Sequence, residues 1–161
     1  MEVAPPRYLV DTNVISAVAP TKKEPPLAAL VHWLDLHADR LFLSAVTIAE
    51  LTDGVSKLRR QGAVSRARKL DEWLELVLHL YSDRVLSLDI KVARATGQLS
   101  DLARGQGHAP GFADLAIAGT AWAHGLTLLT RNVRHFTMLP ISVVDPFTTL
   151  PDPGSVLSAE P

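Results

Sequence analysis

The chain contains no cysteine, and this absence excludes several kinds of chemistry at once. Disulfide bonds, thiolate zinc sites and cysteine nucleophiles are ruled out, so any metal ion would have to be held by oxygen or histidine. A protein without cysteine also fits a reducing compartment, and we expect it to be cytoplasmic.

Long apolar runs are also missing, and proline is missing from the middle of the chain. The longest apolar candidate is interrupted by Asp114, Thr120 and His124, and no leader with a cleavage site is recognisable, so we expect no membrane partner. All 11 prolines lie outside positions 27–109, which permits long unkinked helices there. The net charge of −1 argues against a surface that is basic all over, although a phosphate backbone needs only a local positive face.

Short apolar runs alternate with helical patterns along the 161 residues. Such runs, which lack polar alternation, are typical of strands buried on both faces. They lie at 8–10, 41–43, 85–88, 126–129 and 142–144, and helical periodicity covers roughly 26–37, 45–60, 62–80, 90–104 and 112–124. This alternation predicts an α/β fold with three α/β/α layers, in which helices cover a mostly parallel, twisted sheet of about five short strands.

The length of the chain predicts one domain, which we place at residues 8–147. The last residues are rich in proline, serine, threonine and glycine, and the first few look similar. We therefore expect a flexible N-terminus at 1–7 and a disordered tail at 148–161.

Three acidic residues stand in otherwise apolar surroundings: Asp11 after the first strand, Glu50 in TIAEL and Asp114 in FADLAIA. A charge among core residues is costly unless something compensates it, and one divalent cation would explain all three. Asp11 also follows a strand of a predicted parallel sheet, at the edge where ligands bind in such sheets. We expect the three carboxylates to hold a metal ion together.

Two of these acids have a simpler explanation in helix capping and helix dipoles. Asp11 could cap a short helix at 14–19, although Thr12 and Asn13 already offer capping groups. Asp114 could complement the dipole of the helix at 112–124. A run of small residues in that helix favours close packing against its neighbours, which would bring Asp114 near the sheet.

The third acid, Glu50, would ordinarily be expected to face solvent. It falls about 120° from the middle of the apolar stripe of its helix, whereas Asp53 falls nearly opposite the stripe. The Glu50 side chain can therefore face a crevice of the fold, and we expect Asp53 to face water.

Asp89 and the histidines are weaker candidates. Asp89 follows a strand, but a helix begins directly after it, so a capping role explains it better, as it does Ser44. We assign Asp89 a supporting place outside the metal ligands. The histidines show no ligand spacing, and we expect His32, His37, His124 and His135 on the surface or in loops.

Five segments, taken in order, resemble a known family: YLVDTNVIS, LSAVTIAELTDGV, SLDIKVARATGQL, FADLAIAGTAWAHGLTLLTRNVRHF and ISVVDPF. They are similar to the PIN-domain ribonuclease toxins of the VapC and FitB type over nearly all of positions 8–147. The resemblance implies a PIN-type fold, cleavage of RNA that depends on Mg²⁺ or Mn²⁺, and control by a small antitoxin whose C-terminal part blocks the site. It also implies a homodimer that reaches operator DNA only through the antitoxin.

The resemblance matches Asp11, Glu50 and Asp114 to the catalytic acids of the family. It also gives the Thr130 hydroxyl a hydrogen bond to a carboxylate or to the metal-bound water. Many relatives carry a fourth acid where this chain has Asn132, and a further aspartate where it has His135. An amide oxygen can bind a hard cation but brings no charge, so we expect a weaker second metal site.

The roles that we assign follow from what phosphodiester hydrolysis needs, namely an activated water and a neutralised phosphoryl group. Asp11 and Asp114 would bind the principal ion directly, and Glu50 would bind through water or help to deprotonate the attacking water. A group of polar side chains would orient them: Asn13, Thr130 and Asn132.

Two groups of basic residues could hold RNA. Arg131 and Arg134 flank the last part of the predicted site and are the better candidates for phosphate contacts. The other group lies between two predicted helices and fits a solvated surface slightly better: Lys57, Arg59, Arg60, Arg66, Arg68 and Lys69. The tryptophans lie on helical patterns, so we expect core or interface positions rather than base stacking for Trp33, Trp73 and Trp122.

The serious rival function is not enzymatic: a PIN-like domain that lost turnover through Asn132 could bind RNA or a protein partner. Two other folds place an aspartate after a first strand, and both are excluded. A phosphoryl-accepting regulatory domain would need paired acids near the start and a lysine after a late strand. A haloacid-dehalogenase-like phosphatase would need an acid where this chain has Asn13.

Overall fold

The computed structural model describes residues 3–151, and its central feature is a five-stranded parallel sheet. The strands are β1 (Tyr8–Val10), β2 (Leu41–Ser44), β3 (Val85–Leu86), β4 (Thr127–Leu129) and β5 (Val143–Val144). They lie in the order β3-β2-β1-β4-β5, and every neighbouring pair is parallel. The predicted α/β fold is therefore confirmed.

The helices connect these strands and agree with the sequence pattern. They are α1 (Thr12–Ile15), α2 (Ala28–Leu36), α3 (Ala45–Arg60), α4 (Val64–Tyr81), α5 (Ile90–Gly105) and α6 (Phe112–His124). The predicted caps are present, because Ser44 Oγ accepts from Val46 N at 3.1 Å and Asp89 Oδ1 accepts from Val92 N at 2.9 Å. Among residues 3–151, no helix combines the length and the apolar character that a bilayer crossing needs.

Two details of the predicted elements are wrong. The short helix expected at 14–19 begins at Thr12, and its later part is a 3₁₀ turn at Ser16–Val18. The runs at 85–88 and 142–144 were expected to be buried on both faces, but β3 and β5 are only partly buried and Leu88 is exposed. Both strands lie at the edges of the sheet, where a neighbouring strand is missing on one side.

Helices cover both faces of the sheet, and each face has its own hydrophobic core. Alternate residues of a strand point to opposite faces, so Tyr8 and Val10 join one core and Leu9 joins the other. The first core also takes side chains from α2, α3 and α4, and the second takes them from α5 and α6. These are the three layers that the sequence predicts.

The sheet reverses its order of growth at β1, which lies in the middle. The chain adds β2 and β3 on one side of β1 and β4 and β5 on the other, and a crevice forms at the carboxyl ends of strands at such a switch point. Val10 pairs with Leu129, so the residues that follow them, Asp11 and Thr130, lie side by side. The backbone confirms this register, since Asp11 N donates to Leu129 O at 2.9 Å.

The segments next to both ends of the described chain pack onto the domain. The Arg7 carbonyl accepts from Thr127 N at 3.1 Å, and the Trp33 indole donates to the Pro151 carbonyl at 2.8 Å. Leu150 packs against the first core. The packed chain therefore extends past position 147 to Pro151, and the remainder of the predicted termini, residues 1–2 and 152–161, lies outside the described residues.

Helices α5 and α6 approach each other closely at Gly119. A methyl group at this position would lie 3.0 Å from Thr96 N and 3.1 Å from Thr96 Cα, and closer still to the Thr96 hydroxyl. That hydroxyl is buried and donates to the Val92 carbonyl at 2.8 Å. The small residues of α6 thus let two helices pack backbone to backbone, which fixes the helix that carries Asp114.

We predict that Gly119→Ala lowers the free energy of unfolding by roughly 1–3 kcal/mol, because the added carbon overpacks a contact with backbone atoms. Gly97→Ala in α5 is the control, since no atom lies within 4 Å of a methyl group there. The control should gain about 0.5–1 kcal/mol from helix propensity. Urea denaturation measures both, and equal effects of the two substitutions would contradict the packing described here.

Candidate active site

Asp11 is a buried carboxylate at the switch point of the sheet. Only 5% of the residue is exposed. Its Oδ1 accepts from Thr12 N at 2.7 Å and its Oδ2 accepts from Thr130 Oγ1 at 2.7 Å. Within residues 3–151 no basic side chain forms an ion pair with it. Its charge is therefore compensated in the described chain by hydrogen bonds alone. Asp11 also caps α1, which is the simpler of the two roles that the sequence offered.

The surroundings of Asp11 raise the pKa of its carboxyl above the ordinary value of 3.8. Burial is the main cause, and the charges of Asp114 and Glu50 raise this pKa further. The hydrogen bonds from Thr130 and Thr12 lower it in part. The two other predicted acids thus lie close enough to act on Asp11, and a cation at this point would favour its ionised form.

Thr130 connects Asp11 to the loop that follows β4. This fully buried residue donates its hydroxyl proton to Asp11. Its oxygen accepts from Asn13 Nδ2 and from Asn132 N, both at 3.1 Å. A hydroxyl offers one donor and two acceptor sites, so every hydrogen-bonding position of Thr130 is used.

Asn13 extends this network towards the surface. Its Nδ2 donates to Thr130, and its Oδ1 accepts from the backbone N of Arg131 at 3.1 Å. Three hydrogen bonds therefore connect the buried Asp11 carboxylate with the backbone of Arg131. The guanidinium of Arg131 lies 3.7 Å from the centre of the Phe147 ring, in a cation–π contact.

Glu50 reaches the same turn from α3. Its Oε1 accepts from Thr12 Oγ1 at 2.7 Å, and the Thr12 and Thr47 hydroxyl oxygens lie 3.0 Å apart. Glu50 is exposed, yet its side chain is directed to the residue next to Asp11. Asp53 on the same helix is exposed and makes no such contact among the described residues, as the angular positions of the two acids predicted.

Asp114 lies in the first turn of α6 and is paired with a histidine. Its Oδ2 lies 3.1 Å from His135 Nδ1, and the two side chains are 35% and 55% exposed, respectively. His135 lies on the surface, as expected, in a 3₁₀ turn after β4. Its contact with Asp114 was not predicted, since no spacing in the sequence connects two residues that meet across separate elements.

Other candidates from the sequence lie outside this group. Asp89 caps α5, and in the described part of the chain no hydrogen bond or ion pair joins it to the site residues, so its supporting role stays a prediction. Arg134 is exposed and lines a groove with Asp114 and His135. The second basic group lies in the last turn of α3 and the first turns of α4. All of its residues are exposed, and one of them, Arg59, pairs with Asp71 at 3.0 Å.

Two of the tryptophans take the core positions that the sequence favoured, whereas the third, Trp122, lies on the surface and its interface position stays a prediction. Trp33 is buried and contacts Tyr8 edge to face, with ring centres 5.2 Å apart, and Trp73 packs against the same core. Trp122 is 37% exposed on α6.

The donor set fits a hard divalent cation, although it is not a closed cage. Among residues 3–151, no three histidine, aspartate or glutamate side chains approach closely enough to form a complete metal site. Mutual repulsion of carboxylates favours such spacing. The donors are carboxylate, amide and hydroxyl oxygens, which suit Mg²⁺ or Mn²⁺, and the buried Asp11 carboxylate has no cationic partner in the described chain.

A family model described as PIN domain matches residues 8–138, which include every residue of this network. The chain belongs to the PIN domain family. It is 37% identical to the toxin FitB of Neisseria gonorrhoeae over 141 residues, which cover 86% of this chain and 97% of FitB. It is also 36% identical to the VapC ribonuclease Y4jK of Sinorhizobium fredii, with 86% and 96% of the two chains covered.

Solved structures show the same PIN fold. FitAcB from Neisseria gonorrhoeae superposes with a TM-score of 0.76 at 36% identity, covering 87% of this chain and 98% of that one. VapBC2 from Rickettsia felis, solved with a DNA fragment from its promoter, gives a TM-score of 0.66 at 27% identity, covering 85% and 96%. The predicted PIN-type α/β/α architecture is confirmed.

Sequence reasoning missed two threonines that connect Glu50 to the rest of this PIN domain site. Thr12 follows Asp11 directly, and Thr47 lies three residues before Glu50 on α3. Residues three apart share one face of a helix, so a threonine at position 47 was an available signal that this face is polar.

We predict that, in the absence of divalent cations, Asp11 makes the PIN domain less stable as the pH rises. Because the pKa of Asp11 is raised, the folded state binds the proton of this carboxyl more tightly than the unfolded state does. The resulting contribution to the free energy of unfolding is largest below about pH 4 and is lost as the pH rises through the folded pKa. Asp11→Asn removes the titration. In urea denaturation with EDTA, the stability of wild type relative to this variant should fall between about pH 4 and pH 7; a constant difference would contradict the raised pKa.

Proposed function

We propose that this protein is a metal-dependent endoribonuclease that acts as the toxin of a toxin–antitoxin pair in the cytoplasm. The observation that carries the proposal is the buried Asp11 carboxylate at the switch point, held by Thr130 and influenced by the charges of Glu50 and Asp114. Relatives with the same fold and 36–37% identity are a toxin and a ribonuclease by name, which supports this function over a non-enzymatic module.

The residues that would hold the ion are Asp11 and Asp114, with Glu50 acting through water. Bound Mg²⁺ or Mn²⁺ supplies charge neutralisation at the phosphoryl group and activation of the attacking water. The protein contributes orientation. Thr130 fixes the Asp11 carboxylate and Thr12 directs Glu50 towards it. Glu50 is the exposed carboxylate of the set and is the group that we assign to take the proton of the attacking water.

The residues that follow Thr130 favour one tightly bound metal ion over two. Asn132 brings no charge where many relatives have an acid, and its backbone N–H is already used by Thr130 Oγ1. His135 occupies the position of a further aspartate and faces Asp114 with a nitrogen. Because each of these replacements removes a negative charge from the site, we expect a second metal site to be weak.

The proposed partners follow from the family. We expect a small antitoxin whose C-terminal part blocks the site, and a homodimer that contacts operator DNA only through that antitoxin. The structure of Rickettsia felis VapBC2 with a promoter fragment supports the DNA contact.

We predict that Asp11→Asn lowers Mg²⁺-dependent cleavage of a labelled RNA by at least about a hundredfold, since even the residues that only orient metal ligands are worth ten- to a hundredfold. Asp53→Asn is the matched control, because Asp53 is an exposed acid on the helix of Glu50 and makes no contact with the site. Cleavage by the Asp11→Asn variant at the rate of wild type would refute the role of Asp11. Absence of cleavage by wild type would favour the binding module.

We also predict that millimolar Mg²⁺ raises the melting temperature of wild type, because a ligand that binds only the folded state stabilises it by mass action. The Asp11→Asn variant should show a much smaller rise, and Asp53→Asn should respond as wild type does. Differential scanning fluorimetry across a Mg²⁺ titration measures the effect. An unchanged melting temperature in wild type would count against a metal at the cluster, independently of any activity.

A further inference from the structure

A basic groove lies beside the candidate active site, on the side of Asn13. It has a volume of about 470 Å³, and its lining includes Lys22, Lys23, Arg131 and Phe147. Asn13, which also lines it, belongs to the hydrogen-bond network of Asp11. None of the residues with predicted RNA contacts except Arg131 lines this groove, so its lysines are a new feature of the structure.

Two neighbouring grooves share lining residues with this one. The second, of about 430 Å³, shares Arg131 with the first and is also lined by Arg134, His135 and Asp145. The third, of about 310 Å³, shares Arg134 and His135 with the second and is lined by Asp114. The three grooves therefore adjoin one another from the two lysines to Asp114, whereas Asp11 and Glu50 line none of them.

The arginine shared by the first two grooves is held in place. Its backbone N–H donates to Asn13 Oδ1, and its guanidinium is stacked against Phe147. Two further hydrogen bonds connect Asn13 through Thr130 to Asp11. A cation that contacts a phosphate here is thus positioned relative to the buried carboxylate before any ligand arrives.

The two lysines that line the first groove are exposed and available for an anion. In residues 3–151 neither of them forms an ion pair. Their loop also contains Pro20, Pro25 and Pro26, which limit its backbone conformations and so reduce the entropy lost on binding. Glu24 lines the same groove, which leaves an excess of positive charge when Arg131 is included.

We propose that Lys22, Lys23 and Arg131 form a binding subsite for the phosphates of a single RNA strand that enters the active site along this groove. The subsite deepens the proposed nuclease function and rests on it. A groove lined by several cations suits a flexible strand whose phosphates lie along its path. The adjoining grooves reach Asp114, whereas the basic residues in the last turn of α3 lie about 15 Å along the helix axis from Glu50, measured to Arg60.

The test compares two pairs of charge removals in the Asp11→Asn protein, which keeps the bound RNA uncut. The first pair, Lys22→Gln with Lys23→Gln, removes two charges from the groove. The second pair, Arg60→Gln with Arg66→Gln, removes two exposed charges from the end of α3 and the start of α4. Fluorescence anisotropy of a short labelled single-stranded RNA of mixed sequence is measured over a KCl titration. Melting temperatures of all variants show whether the fold is retained.

We expect the lysine pair to lower affinity roughly ten- to thirtyfold at 0.1 M salt and to reduce the slope of log K against log salt by about 1.4, since each contact with a single strand contributes about 0.7. The arginine pair should change both quantities much less. An unchanged slope for the lysine pair, an equal effect of the arginine pair, or no RNA binding by the starting protein would each overturn the subsite.

Two further readouts separate this inference from its alternatives. If the lysine variants bind RNA normally but escape neutralisation by the antitoxin, the groove belongs to a protein partner and the proposal is wrong. Cleavage by wild type is measured in parallel. Cleavage that depends on Asp11 but is insensitive to the lysines would support the nuclease function and overturn the subsite. RNA binding that depends on the lysines, in a protein that shows no cleavage, would support the subsite and count against the nuclease function.

Discussion

The hydrogen bond from Thr130 Oγ1 to Asp11 Oδ2 is the contact on which the rest of the site depends. It joins the residues that follow the two central strands, at the point where the sheet changes its direction of growth. A buried carboxylate without such donors would take up a proton or need a nearby cation. Thr130 therefore keeps Asp11 available as a metal ligand. Because Thr130 is itself fully buried, its side chain has little room to change conformation.

The three acids come from three different layers of the fold. Asp11 follows a strand of the sheet, Glu50 lies on α3 and Asp114 lies on α6. The residues next to the two helical acids, Leu51 and Leu115, are buried in the cores on opposite faces of the sheet. Packing on both faces is thus what brings the carboxylates to one edge. We therefore expect a change in either core, such as crowding between α5 and α6, to displace an acid at the site.

The sequence predicted the layers of the fold better than the contacts within the candidate site. Apolar runs without alternation identify parallel strands, but they do not show that β3 and β5 lie at the edges, because burial depends on which strands are neighbours. Likewise, Asp11, Glu50 and Asp114 stand out in the sequence because their neighbours along the chain are apolar, although only Asp11 is buried in the structure. The contact of His135 with Asp114 depends on the 3₁₀ turn after β4, and no local periodicity encodes where such a turn places a side chain.

Charge explains why a nuclease of this composition needs a local basic surface near its acids. The chain has a net charge of −1, and its candidate site gathers three carboxylates, so it repels a phosphate backbone unless nearby cations offset it. At 0.1 M salt the Debye length is about 10 Å, which is shorter than the distance of about 15 Å from Glu50 to Arg60 along α3. The distant basic residues are therefore largely screened at the site. Arg131 directly follows Thr130, and its backbone is connected through Asn13 and Thr130 to Asp11. The position of Arg131 beside the site therefore favours the groove over the basic ends of α3 and α4 as the path of the RNA.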